Sequence, residues 1–350
     1  MKAVVIREHG DLSVLETADV RAPEIAGARD VRVSLHAAAL NHLDLWTIKG
    51  LPGLTLDFPH VLGGDGAGVV ESVGADVTEI EPGDRVLINP GVSCYACEWC
   101  DAGEHSLCQS YRLLGEHVPG TLAEYVVVPQ QNVARIPTPP APHAPISWEE
   151  AAAFSLVTLT AWRMLMTRAR LRPGETVLVW GIGGGVASTA ISIAKLAGGF
   201  VIATSSSDEK LAVAKEMGAD IALNHASVDV AREVRKITDK RGVDIVVENV
   251  GEATWETSLR SLGKMGRLVT CGATSGSKVV TDVRRLFWNQ YTIMGSTMGN
   301  ATEYREIVRL LGQGHLRPRI DSIVPFERAP EAFERMRDGK QMGKLVVRIG

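Results

Sequence analysis

Gly174-Glu175-Thr176-Val177-Leu178-Val179-Trp180-Gly181-Ile182-Gly183-Gly184-Gly185-Val186-Ala187 opens the stretch that decides the fold, and an apolar-periodic segment continues it to Leu196. It reads as strand, glycine turn, helix. Val177 to Trp180 form a near-continuous apolar run, the pattern of a parallel strand covered on both faces, and the run ends directly in glycines. Glycines permit a tight bend and close approach of backbone N–H groups, while the new helix offers unpaired N–H groups and the positive end of its dipole to a pyrophosphate. A glycine-rich turn alone is weak support. Here it follows a strand and opens a helix, and Val201-Ile202-Ala203-Thr204 supplies the next strand, which together predict a dinucleotide site.

Working outward, strands and helices alternate beyond the turn: helix Lys210–Met217, strand Ile221–Asn224, helix Val228–Thr238, strand Asp244–Glu248, helix Trp255–Leu262, strands Arg267–Cys271 and Tyr291–Ser296. That alternation predicts a doubly wound parallel sheet, an α/β architecture. Before the turn, residues 1 to about 136 carry short β-runs with glycine punctuation, Ala3–Ile6, Val31–Leu35, Gly68–Val73, Arg85–Ile88 and Glu124–Val128. The prolines from Pro137 to Pro145 read as a surface connection, after which Ser147 caps a helix and a second helix is expected at about Thr160–Ala169. A tail with strand Ile320–Val324, a helix around Ala329–Arg337 and strand Leu345–Ile349 is expected to return to the first half.

The 350 residues suffice for two domains with real cores, and a net charge of −4 with mixed signs gives no electrostatic footprint for nucleic acid or an anionic membrane. Lys2 and Arg7 interrupt the N-terminus before a signal-peptide core could form, and no apolar run has the length of a membrane span. A cytoplasmic location is expected.

Four of the five cysteines fall at Cys94-x2-Cys97-x2-Cys100-x7-Cys108. Four thiolates at this spacing can close a tetrahedral shell around Zn²⁺ with no open position, so one structural zinc is expected, against unmetallated buried thiols as the alternative. The shorter last spacing and trailing proline of an iron–sulfur site are absent.

These features, with Leu40-Asn41-His42-Leu43-Asp44, the segment Leu62-Gly63-Gly64-Asp65-Gly66-Ala67-Gly68-Val69-Val70, Pro82-Gly83-Asp84-Arg85-Val86 and Met294-Gly295-Ser296, make the chain resemble the medium-chain dehydrogenase/reductase superfamily along nearly its whole length. The resemblance implies a GroES-like, β-barrel-type catalytic domain over 1–155 with a zinc lobe at 91–110, a Rossmann domain over 156–298, a C-terminal return over 299–350, and a homo-oligomer, dimer or tetramer, acting on a small molecule. The cysteine lobe is similar to that of zinc-containing alcohol dehydrogenases.

Where those enzymes hold a catalytic metal by a Cys, a His and a third ligand, this chain has Asn41, Gly64 and about Leu156. Without thiolate or imidazole there is no Lewis acid at these positions. His42, Asp44, His60 and Asp65 are the candidates for a relocated site. The chain therefore looks like the quinone oxidoreductase and enoyl reductase branches, whose active-site Asn-x-x-Asp matches Asn41 and Asp44, with Trp46 where many have Tyr. An indole N–H donates a hydrogen bond but supplies no proton, which leaves His42 or solvent as proton source. By this resemblance Asn41, His42 and Asp44 are the catalytic candidates, with the Asn41 amide stabilising the oxyanion. A hydrogen-bonded turn is the plainer reading of Asn41 and Asp44.

For the cofactor, Gly181, Gly183, Gly184, Gly185 and Val186 are expected at the pyrophosphate, and Thr160, Gly295 and Ser296 at the nicotinamide. The second strand ends in Thr204-Ser205-Ser206-Ser207 without the carboxylate usual for NAD, and Lys210 follows. Ser205, Ser206 and Lys210 suit a 2′-phosphate, so NADPH is favoured with NADH possible. Asp208 reads as a helix cap. Hydride transfer from NADPH to a quinone or activated C=C bond is the favoured function. An alcohol dehydrogenase or aldehyde reductase is the rival among enzymes, and a cofactor-binding protein without turnover is the rival outside them.

Overall fold

The computed structural model describes residues 1–350 and divides into two compact units, residues 1–157 with 299–350, and residues 158–298. The second unit is a six-stranded parallel sheet in the order Ile221–Asn224, Phe200–Ser205, Thr176–Val179, Val243–Glu248, Leu262–Thr270, Thr292–Gly295. The expected doubly wound sheet is present. Val177, Leu178 and Val179 are fully buried, as a central strand covered on both faces requires, and Leu178, Ile202, Val246 and Leu268 pack with Val234 and Leu259 from flanking helices. The strand Thr176–Val179 has the second strand of the unit on one side and the fourth on the other. The glycine turn therefore lies at the topological switch point, outside the carboxyl end of the strand where ligand crevices form.

In the first unit a seven-stranded sheet runs Val133–Arg135, Arg85–Ile88, Asp65–Val73, Asp30–Ala39, Lys344–Arg348, Ile320–Pro325, with Tyr125–Pro129 also paired to Asp30–Ala39. Pairing is antiparallel apart from the last two strands. The C-terminal strand is thus inserted beside Asp30–Ala39, with Val346 opposite Ala39. Glycines allow the tight approach of Asp65–Val73 to that same strand: a Cβ at Gly68 would lie 2.0 Å from the Ser34 carbonyl oxygen. The helix Ala329–Arg337 closes the core, burying Phe333 and Met336 with Ile6, Leu62, Leu122 and Val347.

Two local expectations need correction, and one helix was not expected. The helix opened by Ser147, whose Oγ accepts from Glu150 N–H at 3.1 Å, does not end before Thr160. It runs over Trp148–Trp162 and passes into a π-helical segment Arg163–Arg168, since no glycine or proline interrupts the sequence. Ser207, not Asp208, caps the helix Asp208–Glu216, its Oγ accepting from Lys210 N–H. The helix Val283–Trp288 was not visible as an amphipathic pattern, because Phe287 and Trp288 are exposed rather than directed at the core.

Candidate active site

Asn41 ends the run from strand Asp30–Ala39 and caps the helix His42–Lys49. Its own N–H donates to Asp44 Oδ2 at 2.8 Å, while Gly63 N–H donates to Asp44 Oδ1 at 3.0 Å. Gly63 can make this bond because its φ is +97° and a Cβ would lie 2.8 Å from Thr121 Oγ1, both of which demand glycine. Asp44 thus ties the helix start to the glycine segment. Burial pushes its carboxyl up to about 6, with the Asn41 and Gly63 N–H groups and the Lys344 charge pulling the other way.

The next residues of that segment bring Asn41, Gly64 and Leu156 together. Asp65 accepts Leu156 N–H on Oδ1 at 2.8 Å and Asn41 Nδ2–H on Oδ2 at 3.0 Å. A Cβ at Gly64 would lie 3.3 Å from Leu156 Cδ1, so leucine side-chain atoms occupy the space in front of Gly64. Into this cluster reaches Lys344, from the first position of the C-terminal strand. Its Nζ donates to Asn41 Oδ1 at 2.6 Å and to Asp65 Oδ2 at 2.9 Å. The pair is buried, with the Lys344 side chain 3% and that of Asp65 0% exposed.

This geometry corrects the role read for Asn41. Its amide hydrogens go to Asp65 and, at 3.4 Å, to the Ala39 carbonyl, and its oxygen accepts from Lys344, so the amide is committed within the protein. Of the three candidates, His42 is the one with a partly exposed side chain and no hydrogen bond, and its ring lies 6.5 Å from that of Trp46. Burial, then the Lys344 charge, lowers its pKa, both disfavouring the protonated imidazole. His60 does not join it: Nε2 donates to the Gly115 carbonyl at 3.1 Å. His42, Asp44, His60 and Asp65 form no ligand cluster; the cysteines are the one group of three or more such side chains placed to share a metal ion.

Lys344 escaped the sequence reading. It stands next to the apolar run Leu345-Val346-Val347 and looks like a strand-end lysine, 303 positions from Asn41. The signal in the sequence was the apolar run directly after it: Lys344 to Val347 are buried in the strand, and a lysine buried there needs a partner.

The four cysteine sulfurs lie within 4.8 Å of one another, with Cys94···Cys108 at 3.4 Å, Cys97···Cys100 at 3.7 Å and Cys94···Cys100 at 4.0 Å. Zn–S bonds of about 2.3 Å in a tetrahedron set S···S edges of about 3.8 Å, so the donor set fits a four-thiolate metal site. N–H groups of Gln109 and Cys100 hold the Cys97 thiol down at about 6, and burial pushes Cys100 up to about 12.

In the second unit, Gly181 has φ +63° and Gly184 caps the helix Gly185–Leu196 without a side-chain hydrogen bond. A Cβ at Gly184 would meet no atom within 4 Å, so the turn leaves a cradle in front of the helix start. Ser296 Oγ is buried without a partner, beside Gly295, whose carbonyl accepts from Arg168 Nε. Thr160 Oγ1 faces Met298 Sδ at 3.6 Å. An open cradle and an orphaned hydroxyl fit a dinucleotide. Ser205 is buried, its Oγ accepting Ser207 N–H, while Ser206 is exposed. The Asp208 carboxylate is engaged by Asn224 Nδ2 at 2.7 Å.

Two family models match the chain, the alcohol dehydrogenase GroES-like domain over residues 27–138 and the zinc-binding dehydrogenase domain over residues 185–313. An NAD-dependent alcohol dehydrogenase of Sulfolobus acidocaldarius is 31% identical over 357 residues, covering all of both chains. A crystal structure of an NAD-dependent alcohol dehydrogenase superimposes with a TM-score of 0.94 at 44% identity, again over both whole chains. The crotonyl-CoA carboxylase/reductase of Cereibacter sphaeroides is 29% identical, over 94% of this chain and 82% of that one. The chain belongs to the medium-chain dehydrogenase/reductase superfamily and is an oxidoreductase of that family.

Proposed function

We propose that this oxidoreductase passes hydride from NADPH to a quinone or to a C=C bond conjugated to a carbonyl, without a catalytic zinc ion. The observation that carries the reading is the content of positions 41, 64 and 156: an amide tied to Lys344 and Asp65, a glycine, and a leucine filling the space before it. None is a thiolate or imidazole. Oxidising an alcohol needs a group that lowers the hydroxyl pKa as hydride leaves, the usual task of a metal. A conjugated acceptor delocalises the incoming charge onto oxygen, where hydrogen-bond donors suffice. Bound NADPH supplies the hydride. The chain's own residues hold the acceptor and its charge: Asp44 fixes the helix start, Asn41 and Asp65 form a rigid polar wall, and His42 borders it as a neutral ring.

NADPH is preferred because the second strand ends in hydroxyls, with Asp208 already engaged and Lys210 in the following helical turn. The cysteine lobe holds one zinc ion with a structural role. A second reading, an NAD-dependent alcohol dehydrogenase, is favoured by the relatives, two of which are NAD-dependent alcohol dehydrogenases.

The test is cofactor consumption against quinones, enones, enoyl thioesters and simple alcohols, with NADPH and NADH in parallel, and with zinc counted by elemental analysis. Turnover of enones or quinones with one zinc per chain is expected. Metal-dependent oxidation of alcohols with two zinc ions per chain would turn the assignment to the second reading. Lys210→Ala is expected to weaken NADPH binding by about 1.5–3 kcal/mol, the worth of a charge-assisted contact, and to leave NADH nearly unchanged. Equal losses would locate Lys210 away from the 2′-phosphate.

A further inference from the structure

An ammonium group has three N–H donors, and Lys344 commits two of them, to Asn41 Oδ1 and Asp65 Oδ2. The third has no acceptor in the protein. Neither partner is free to swing: Asp65 is pinned by Leu156 N–H and Asn41, and the Asn41 backbone by Asp44. The cation is therefore fixed before any ligand arrives. Its side chain is 3% exposed, and its partner Asn41 caps the helix that begins with the partly exposed His42, so the ammonium lies one residue's hydrogen bond from the surface at that helix start. A buried lysine serving stability alone would need acceptors for all its hydrogens, and an apolar side chain of equal volume would cost less desolvation.

We propose that Lys344 is the electrophile of this site, its third N–H bonding to the substrate oxygen on which negative charge accumulates. The inference deepens the reductase reading and rests on it for the substrate's chemistry. As hydride adds to the β-carbon of an enone, its electron pair becomes the new C–H bond. The alkene π pair moves into the bond between the α-carbon and the carbonyl carbon, and the carbonyl π pair settles on oxygen. A proton from water then completes the α-carbon, and the nicotinamide is left oxidised. Lys344 keeps its own proton throughout. A charged donor in a low-dielectric pocket gains strength as that oxygen changes from carbonyl to enolate, which is the differential binding that lowers a barrier.

The experiment compares wild type with Lys344→Met and Lys344→Arg on 4-phenylbut-3-en-2-one. Folding is followed by circular dichroism, and NADPH affinity by fluorescence. Lys344→Met is expected to lower kcat by about 100-fold or more, the usual loss of an oxyanion donor, with KM changed by less than about threefold and NADPH affinity kept. Lys344→Arg should recover part of the loss. Calorimetric titration with cinnamate, which carries its charge where the enone oxygen lies, reads the contact without turnover and should weaken by about tenfold or more in Lys344→Met. Should Lys344→Met fail to fold, Asp65→Asn/Lys344→Met removes both charges of the pair, and the same losses are expected. A folded variant that keeps kcat within about threefold, or binds cinnamate as tightly as wild type, overturns the proposal. If wild type ignores enones and oxidises alcohols, the reductase reading falls by itself. Lys344 is then judged by the same variants on the alcohol, whose alkoxide needs the same donor.

Discussion

Asp44 carries the clearest pH signature of any single residue near the site. In the folded chain burial raises its carboxyl to about 6 from an ordinary 3.8. Between those values the folded state binds the proton and the unfolded state does not, so the stability that Asp44 contributes is greatest below pH 4 and falls as pH rises toward 6, then levels. His42 and His60, whose pKa values burial lowers, act in the opposite sense as they resist protonation below their usual 6.5. The difference between wild type and Asp44→Asn isolates the carboxyl. Its stability advantage over the variant should shrink by on the order of 3 kcal/mol from pH 4 to pH 7, as about two pKa units imply. Urea unfolding at a series of pH values measures this, and a difference independent of pH would mean that Asp44 titrates as an ordinary carboxyl.

At the scale of elements, the glycine turn shows why much of the second unit was legible. A buried apolar strand, a turn and a helix follow each other in sequence, so local pattern and fold coincide. The candidate site shows the converse. Asn41 and Asp44 sit in one motif and could be read together, whereas Lys344, Asp65 and Leu156 meet only after strand Lys344–Arg348 is inserted beside Asp30–Ala39. Nothing in the spacing of those residues encodes that pairing. The helix Trp148–Trp162 is continuous for a similar reason not visible in spacing, since both halves are apolar and only the unbroken hydrogen-bond ladder joins them.

The glycines of the second unit also separate two jobs by geometry. Gly184 has φ −88° and ψ 161°, which valine adopts readily, and open space beyond it. Gly184→Val should cost at most about 1 kcal/mol through a poorer helix cap, yet weaken NADPH binding by about tenfold or more by filling the cradle. Gly251, by contrast, has φ +90° and would put a Cβ 2.3 Å from the Gly276 carbonyl oxygen. Gly251→Ala should therefore unfold at markedly lower denaturant concentration. Thermal melts with and without NADPH distinguish the two, and equal ligand-induced shifts for wild type and Gly184→Val would move the cofactor away from this turn.

For the whole molecule, the edge of the six-stranded sheet raises the question of what covers it. Thr292–Gly295 is the last strand, so one row of its N–H and C=O groups has no neighbouring strand. The helix just before it, Val283–Trp288, exposes Phe287 by 64% and Trp288 by 78%. An open edge beside exposed aromatic side chains invites association, and proteins that stay monomeric blunt such edges with charge or proline. A second copy of the chain satisfies both features at once. A two-fold axis would bring two equivalent edges together antiparallel and extend two six-stranded sheets into one, with each aromatic patch meeting its own equivalent. A homo-oligomer is the expected state, and light scattering should give at least about twice the 37.6 kDa of one chain. Replacing both rings, Phe287→Glu with Trp288→Glu, should shift the mass toward a single chain and leave NADPH binding measurable, because neither residue belongs to the glycine turn. Wild-type protein that ran as one chain at micromolar concentration would show that the edge stays open in solution.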